Sequence, residues 1–205
     1  LPFPLKWTTI AQCFRYERMT KGRKREHYQW NMDIIGEESV LAEVEGLGAA
    51  CDALRRMGLA DGDYRVHVSS RALLAELLAA SGIPADKHTS VFLALDKRGK
   101  IPDEEIKYIL SEGGLDADGI AKTFELLNVK SLEEAEKMVA AESPAVARLK
   151  ELFRLAGIAG FADRLQFDIA VIRGLSYYTG IVFECFDAKR EFRAIFGGGR
   201  YDNLL

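Results

Sequence analysis

Strand-like alternation is concentrated at the two ends of this 205-residue chain, and residues 85–160 between them read almost wholly as short helices. A sheet built from such a chain must join segments far apart in sequence, with a helical module inserted between its halves. That pattern predicts an α+β fold, a mostly antiparallel sheet flanked by helices. The expected divisions are 1–84, 85–160 (the insertion) and 161–205. Near the start, Thr8 to Arg18 alternates, with Thr9, Ala11, Cys13, Arg15 and Glu17 on one face. His27 to Ile35 alternates again, with Tyr28, Trp30, Met32 and Ile34 opposite Gln29, Asn31 and Asp33. The charged, Gly22-centred segment between them predicts an antiparallel hairpin with a long turn.

Helical spacing of Leu41, Val44, Leu47 and Leu54 predicts a helix from Glu38 to Met57, stopped by Gly58. Tyr64 to Ser69 reads as a strand, followed by a helix capped by Ser70 and running to Ala80. Within the insertion, Pro102-Asp103-Glu104-Glu105 marks an acidic helix start, and Ser131 with Glu134 fits a capping box. Strands are expected again at Gln166–Ile172, Gly180–Phe186 and Glu191–Phe196, the last leading into a glycine run that either lets backbone approach a ligand or is simply a loop.

Composition sets outer bounds. Lys and Arg total 28 against 31 Asp and Glu, a net charge of −3, which excludes a generally polybasic protein but not a local basic patch. Three scattered cysteines form neither a disulfide framework nor a metal cluster and suggest a reducing compartment. His27, His67 and His88 lack metal-ligand spacing. No apolar stretch is long enough to span a membrane.

Three places carry chemistry. Arg18, Lys21, Arg23, Lys24 and Arg25 crowd the hairpin tip, where a polyphosphate or nucleic-acid backbone would be attracted; charge alone also fits a solvated turn. Gln29 and Asp33 share one strand face and could meet a ligand bearing N–H donors, or simply form the wet side of a sheet. Arg173, ending an apolar segment before Tyr177 and Tyr178, needs an anionic partner, or lies in a tyrosine-lined core with its head in water. The run Gly197-Gly198-Gly199-Arg200-Tyr201 lets a backbone approach closely, but it is neither a dinucleotide-binding nor a P-loop pattern.

Taken together, these places resemble one family. Phe14 to Gly36 (FRYERMTKGRKREHYQWNMDIIG) is similar to motif 2 of class II aminoacyl-tRNA synthetases, in the form used by histidyl-tRNA synthetases. Arg173 to Glu184 (RGLSYYTGIVFE) resembles their histidine-specific signature, and Phe196 to Leu204 (FGGGRYDNL) the segment after it. The resemblance implies ATP-dependent activation of L-histidine to the adenylate and transfer to tRNA(His). ATP with Mg2+ is then a substrate, with no tightly bound cofactor and no protein metal site.

Residue by residue, the resemblance assigns Arg15 to the α-phosphate and the amino-acid carboxylate, and Glu17 to the adenine edge. It assigns Arg23 and Arg25 to the ATP phosphates and the acceptor end, and His27 to adenine stacking. Gln29 would bind the α-amino group. Asp33 and Tyr178 would hydrogen-bond the imidazole, with Tyr177 and Tyr201 lining its pocket. Arg173 matches an arginine placed at the α-phosphate in lieu of a metal ion. Asp33 stands where many bacterial members carry Glu, and Ser176 where many carry Asp.

The family's motif 1, motif 3 and anticodon-binding domain find no match in these residues. The expectation is therefore a catalytic-domain fragment, from motif 2 to just before motif 3, weak or inactive in isolation. Full-length members are homodimers, working in the cytoplasm or, with a transit peptide, in an organelle. A non-catalytic synthetase-like regulatory domain binding histidine or tRNA is the alternative.

Overall fold

The computed structural model describes residues 2–16, 24–173 and 177–204. Strands β1 (Leu5–Phe14) and β2 (Glu26–Ile35) form the expected antiparallel hairpin. Its register pairs Cys13 with His27, Ala11 with Gln29 and Trp7 with Asp33. Paired residues of antiparallel strands share a face, so His27, Gln29 and Asp33 lie on one side with Cys13. Ile10, Phe14, Tyr28 and Trp30 lie on the other side and are exposed. The hairpin tip, with Glu17, Arg18, Lys21 and Arg23, lies outside the described residues, as does Ser176.

Helix α1 (Leu41–Arg56) follows, and its chain reverses at Gly58 with φ +97°. Strand β3 (Tyr64–Ser70) leads directly into α2 (Arg71–Ala80), where the Ser70 hydroxyl accepts from the Leu73 N–H at 3.3 Å. The expected helical stretch contains α3 (His88–Leu95), α4 (Asp103–Glu112), α5 (Ala117–Leu126), α6 (Leu132–Glu136) and α7 (Pro144–Ile158). At α6, Ser131 Oγ accepts from the Glu134 N–H at 3.2 Å, while the Glu134 carboxylate accepts from the Lys130 N–H at 2.8 Å. These contacts satisfy donors that would otherwise be unpaired at the helix start.

Three strands return the chain to the sheet: β4 (Leu165–Phe167), β5 (Ile181–Asp187) and β6 (Phe196–Gly199). The four-stranded order is β4-β3-β5-β6, with β3 and β4 parallel and the other pairs antiparallel. Two expected strands differ. The strand predicted for Gln166–Ile172 ends at Phe167, because the Asp168 carboxylate accepts from the Ala170 N–H at 3.1 Å and turns the chain. Arg173 therefore follows a turn rather than ending a strand. Glu191–Phe196 is not a strand either. The Asp187 carboxylate accepts from the Glu191 and Phe192 N–H groups, both at 3.0 Å, and Arg190 takes φ +52°. Pairing resumes only at Phe196, so the glycine run is itself β6 rather than a loop.

Among the described residues the larger of two apolar cores runs through most of the molecule. Val66 and Val68 of β3 and Cys185 of β5 point into it, against Leu47 and Leu54 of α1, Leu73 and Leu77 of α2, and Leu149 and Leu152 of α7. It continues into the helical stretch through Val91, Leu95, Ile106, Leu110 and Leu126. Each fully buried leucine is stabilised by about 1.5–3 kcal/mol relative to exposure. The helices cover one face of the sheet, which leaves the opposite face for the site. No helix among the described residues is long and apolar enough to cross a membrane.

Candidate active site

Register decides what the open face of the sheet presents. His67, Glu184 and Gly197 are cross-strand neighbours, as are Ser69, Val182 and Gly199. These rows alternate with the core-facing rows of Val66 and Val68. Val182 packs with Val171 and Tyr178 in a second, small apolar cluster, and Tyr201 leans against it. The missing side chain at Gly199 makes room for this cluster. A Cβ there would lie 2.8 Å from Val182 Cγ1 and 2.9 Å from Tyr178 Cδ1. Gly197 does the same for Arg173: a Cβ would overlap Nη1 and sit 3.0 Å from Cζ. The glycine run is thus a strand whose bare side accommodates an arginine and a tyrosine.

The tyrosines form a wall. Tyr177 and Tyr178 have ring centroids 4.7 Å apart, and Tyr177 meets Tyr201 edge-on at 6.0 Å. Burial, the largest influence, pushes the Tyr178 hydroxyl up to about 12, so it keeps its proton at neutral pH. Burial and the Asp33 carboxylate both raise Tyr201 well above the ordinary phenol range. Tyr201 donates a short hydrogen bond to Asp33 Oδ1, which joins β6 to the polar face of the hairpin. The hydroxyl that reaches Asp33 is therefore that of Tyr201, with Tyr178 packed behind it.

A buried ion pair holds this wall. Arg200 Nε and Nη2 donate to the two oxygens of Glu43, at 2.6 and 2.8 Å. Arg200 also donates to the carbonyls of Glu37 and Ser39 and to Asp202, at 3.2, 2.8 and 3.1 Å. Asp202 in turn accepts from the Thr179 hydroxyl at 2.5 Å. One guanidinium thereby ties the end of β6 to α1, to the foot of the hairpin and to the segment carrying Tyr178. The hydrogen-bonded Glu43 carboxylate raises the already high Arg200 pKa further. The residue patterns drew no attention to this clasp. Its signal was Glu43, which shares the buried stripe of α1 with Leu47, Cys51 and Leu54.

The other expected site residues fall around this wall. Arg15 is exposed just beyond β1, and its N–H donates to the Arg25 carbonyl at 2.8 Å, which extends the hairpin pairing. The Arg25 guanidinium lies 4.8 Å from the centre of the Tyr16 ring. His27 is half-buried, whereas Gln29 is exposed with its Oε1 3.8 Å from the Cys13 thiol. Arg173 donates to Glu184 at 2.8 Å, and its Cζ lies 6.0 Å from the centre of the Tyr178 ring. The expected Glu17 and Arg23 lie outside the described residues. Asp33, Tyr177, Tyr178 and Tyr201 are brought together, with Arg173 beside them.

The chain matches the family model "Histidyl-tRNA synthetase" over residues 1–205. The chain belongs to the histidyl-tRNA synthetase family. It is 50% identical over 202 residues to "Histidine--tRNA ligase, chloroplastic/mitochondrial" of Arabidopsis thaliana, which covers 98% of this chain and 42% of the relative. It is 39% identical over 206 residues to "Histidine--tRNA ligase" of Haloquadratum walsbyi, covering 98% of this chain and 48% of the relative. The chain spans about half the length of the curated relatives it matches. The crystal structure of histidyl-tRNA synthetase from Nostoc sp. PCC 7120 superposes with a TM-score of 0.81 at 23% identity, over 100% of this chain and 49% of that one. That likeness shows the fold, which is α+β and of the class II synthetase type. The helical stretch between the two sheet halves is part of it.

Proposed function

We propose that this chain forms the histidine- and ATP-binding centre of a histidine--tRNA ligase, which activates L-histidine as histidyl-adenylate and transfers it to tRNA(His). The observation that carries the reading is the Tyr201–Asp33 hydrogen bond. It brings a carboxylate from the hairpin against a wall of three tyrosines from the other end of the chain. An imidazole has one N–H to donate and one nitrogen that accepts. Asp33 accepts the first, and a tyrosine hydroxyl that stays protonated donates to the second. A pocket that hydrogen-bonds its substrate rejects analogues lacking those groups by roughly 10⁴-fold or more.

In the first step, a carboxylate oxygen of histidine attacks the α-phosphorus of ATP and pyrophosphate leaves. Two anions must approach, and charge builds on the non-bridging oxygens. Arg15 on the hairpin and Arg173 beside the tyrosines offset that charge from two sides. A guanidinium presents a planar fork suited to paired phosphate oxygens. ATP enters as its Mg2+ complex, the ion riding on the substrate phosphates. Gln29 takes the α-amino group, His27 stacks on adenine, and Glu17 contacts the adenine edge. Arg23 and Arg25 meet the phosphates and the acceptor end. In the second step, a terminal ribose hydroxyl of tRNA attacks the acyl carbon and AMP leaves. The division into 1–84, 85–160 and 161–205 accompanies this reading, as does a second subunit in the full-length enzyme. The chloroplastic/mitochondrial relative supports an organellar setting.

The test is histidine-dependent pyrophosphate exchange in the full-length protein carrying Arg173→Ala. Loss of one charge-stabilising donor lowers exchange by about 10²–10³-fold. Exchange at the parent rate would refute the role of Arg173. Histidine binding with no exchange and no ATP binding in the parent would favour a regulatory domain instead.

A further inference from the structure

Arg173 lies in a seat made by residues outside the histidine signature's tyrosines. Its Nη1 donates to Glu184 Oε1 at 2.8 Å, and Glu184 lies directly across β5–β6 from Gly197. The bare backbone of Gly197 leaves the volume that the guanidinium occupies. The side chains of Arg173 and Glu184 are 21% and 30% exposed, so the pair is only partly screened by water. An arginine side chain has many rotamers, and an unrestrained guanidinium would spend little time in one place. Here its far end is held by a carboxylate on a strand that is paired on both sides.

We infer that Glu184 is the positioning residue for Arg173. It grips one terminal nitrogen and turns the rest of the guanidinium fork toward the reacting phosphate, and Gly197 supplies the slot. This rests on the reading that Arg173 meets the α-phosphate. Glu184 touches neither substrate in this scheme and acts only through the arginine.

Two substitutions probe the seat by different routes. Glu184→Gln keeps an oxygen at the right length but removes the charge that fixes the fork. Gly197→Ala leaves Glu184 intact and displaces the guanidinium, the movable end of a flexible side chain, although its Cβ would also lie 3.0 Å from the Phe183 carbonyl oxygen. The experiment is pyrophosphate exchange in the full-length protein, with kcat and the KM values for histidine and ATP measured separately, alongside Arg173→Ala. Misplacement of a positioned group by about 1 Å can cost roughly 100-fold. Both variants are expected to lower kcat by at least tenfold while KM for histidine stays within twofold.

The deciding readout is chemical rescue. Free guanidinium ion, well below denaturing concentration, should restore part of the exchange lost in Arg173→Ala. It should restore none in the Arg173→Ala, Glu184→Gln double variant, which lacks the carboxylate that binds the ion. Equal rescue in single and double variants overturns the inference. So does Glu184→Gln activity equal to the parent while Arg173→Ala is inactive. Full activity of Arg173→Ala instead overturns the underlying reading of Arg173.

Discussion

Replacing Glu43 by Ala should destabilise the protein and loosen the histidine pocket together. Glu43 and Arg200 are nearly buried, their side chains 5% and 10% exposed, and they share two hydrogen bonds. Removing one partner of a buried pair typically costs about 3–5 kcal/mol, because the remaining charge is left unmatched. Arg200 would keep two carbonyl acceptors and Asp202. The lower end, about 3 kcal/mol, is therefore expected. For a chain of this length each kcal/mol shifts the melting temperature by about 2–4 °C, so the drop should be about 6–12 °C. Thermal unfolding followed by circular dichroism measures it. Glu151→Ala is the control: its pair with Arg154 spans one turn of α7, and the two side chains are 42% and 58% exposed. Such an exposed pair is screened by solvent and contributes little to stability. Tyr201 follows Arg200 directly, so histidine titrated by calorimetry should also bind Glu43→Ala more weakly than the control. If the two variants melt together and bind histidine alike, Arg200 does not hold the wall.

Two further outcomes follow from the geometry. Tyr201→Phe removes the donor to Asp33. A hydrogen bond to a charged group contributes about 1.5–3 kcal/mol, but this one is made within the protein, so only part of it reaches the substrate and KM for histidine should rise by up to about 10-fold in the full-length enzyme. An unchanged KM would refute the pocket assignment. The Asp168 carboxyl supplies a pH signature. Burial works to raise it, but the His67 hydrogen bond at 2.9 Å, the Ala170 N–H and the His67 and Arg190 charges outweigh burial and hold it below the ordinary carboxylate range. A depressed carboxyl stabilises the folded state above its unfolded pKa, and that contribution disappears as pH falls through the folded value. The parent should therefore lose urea stability below about pH 4 more steeply than Asp168→Asn, which should be less stable than the parent at neutral pH. Parallel pH profiles would show that the His67–Asp168 contact contributes nothing.

Much of the local structure was legible because its causes are local. Alternation placed the hairpin, Ser70 and Ser131 mark helix starts, and glycines with positive φ mark several ends. The misread segments share one cause. Asp168 and Asp187 fold their carboxylates back onto nearby backbone N–H groups, which ends alternation that looked strand-like. In sequence the glycine run fits a close backbone approach or a plain loop, because glycine weakens strands in general. Here the missing side chains are what allow a strand to lie under Arg173 and Tyr178.

The sequence by itself determined the α+β class, the order of elements and the family, since periodicity, caps and motif order can all be read along the chain. Only the tertiary structure decided how the site is held. Tyr201 and Asp33 are 168 positions apart, and Arg200 and Glu43 are 157 apart. No local pattern links such residues. Register within the four-stranded sheet turns Glu184, Gly197 and Gly199 onto one face, but the hairpin is a separate two-stranded sheet and Glu43 lies on a helix, so Asp33 and Glu43 reach Tyr201 and Arg200 only through tertiary packing.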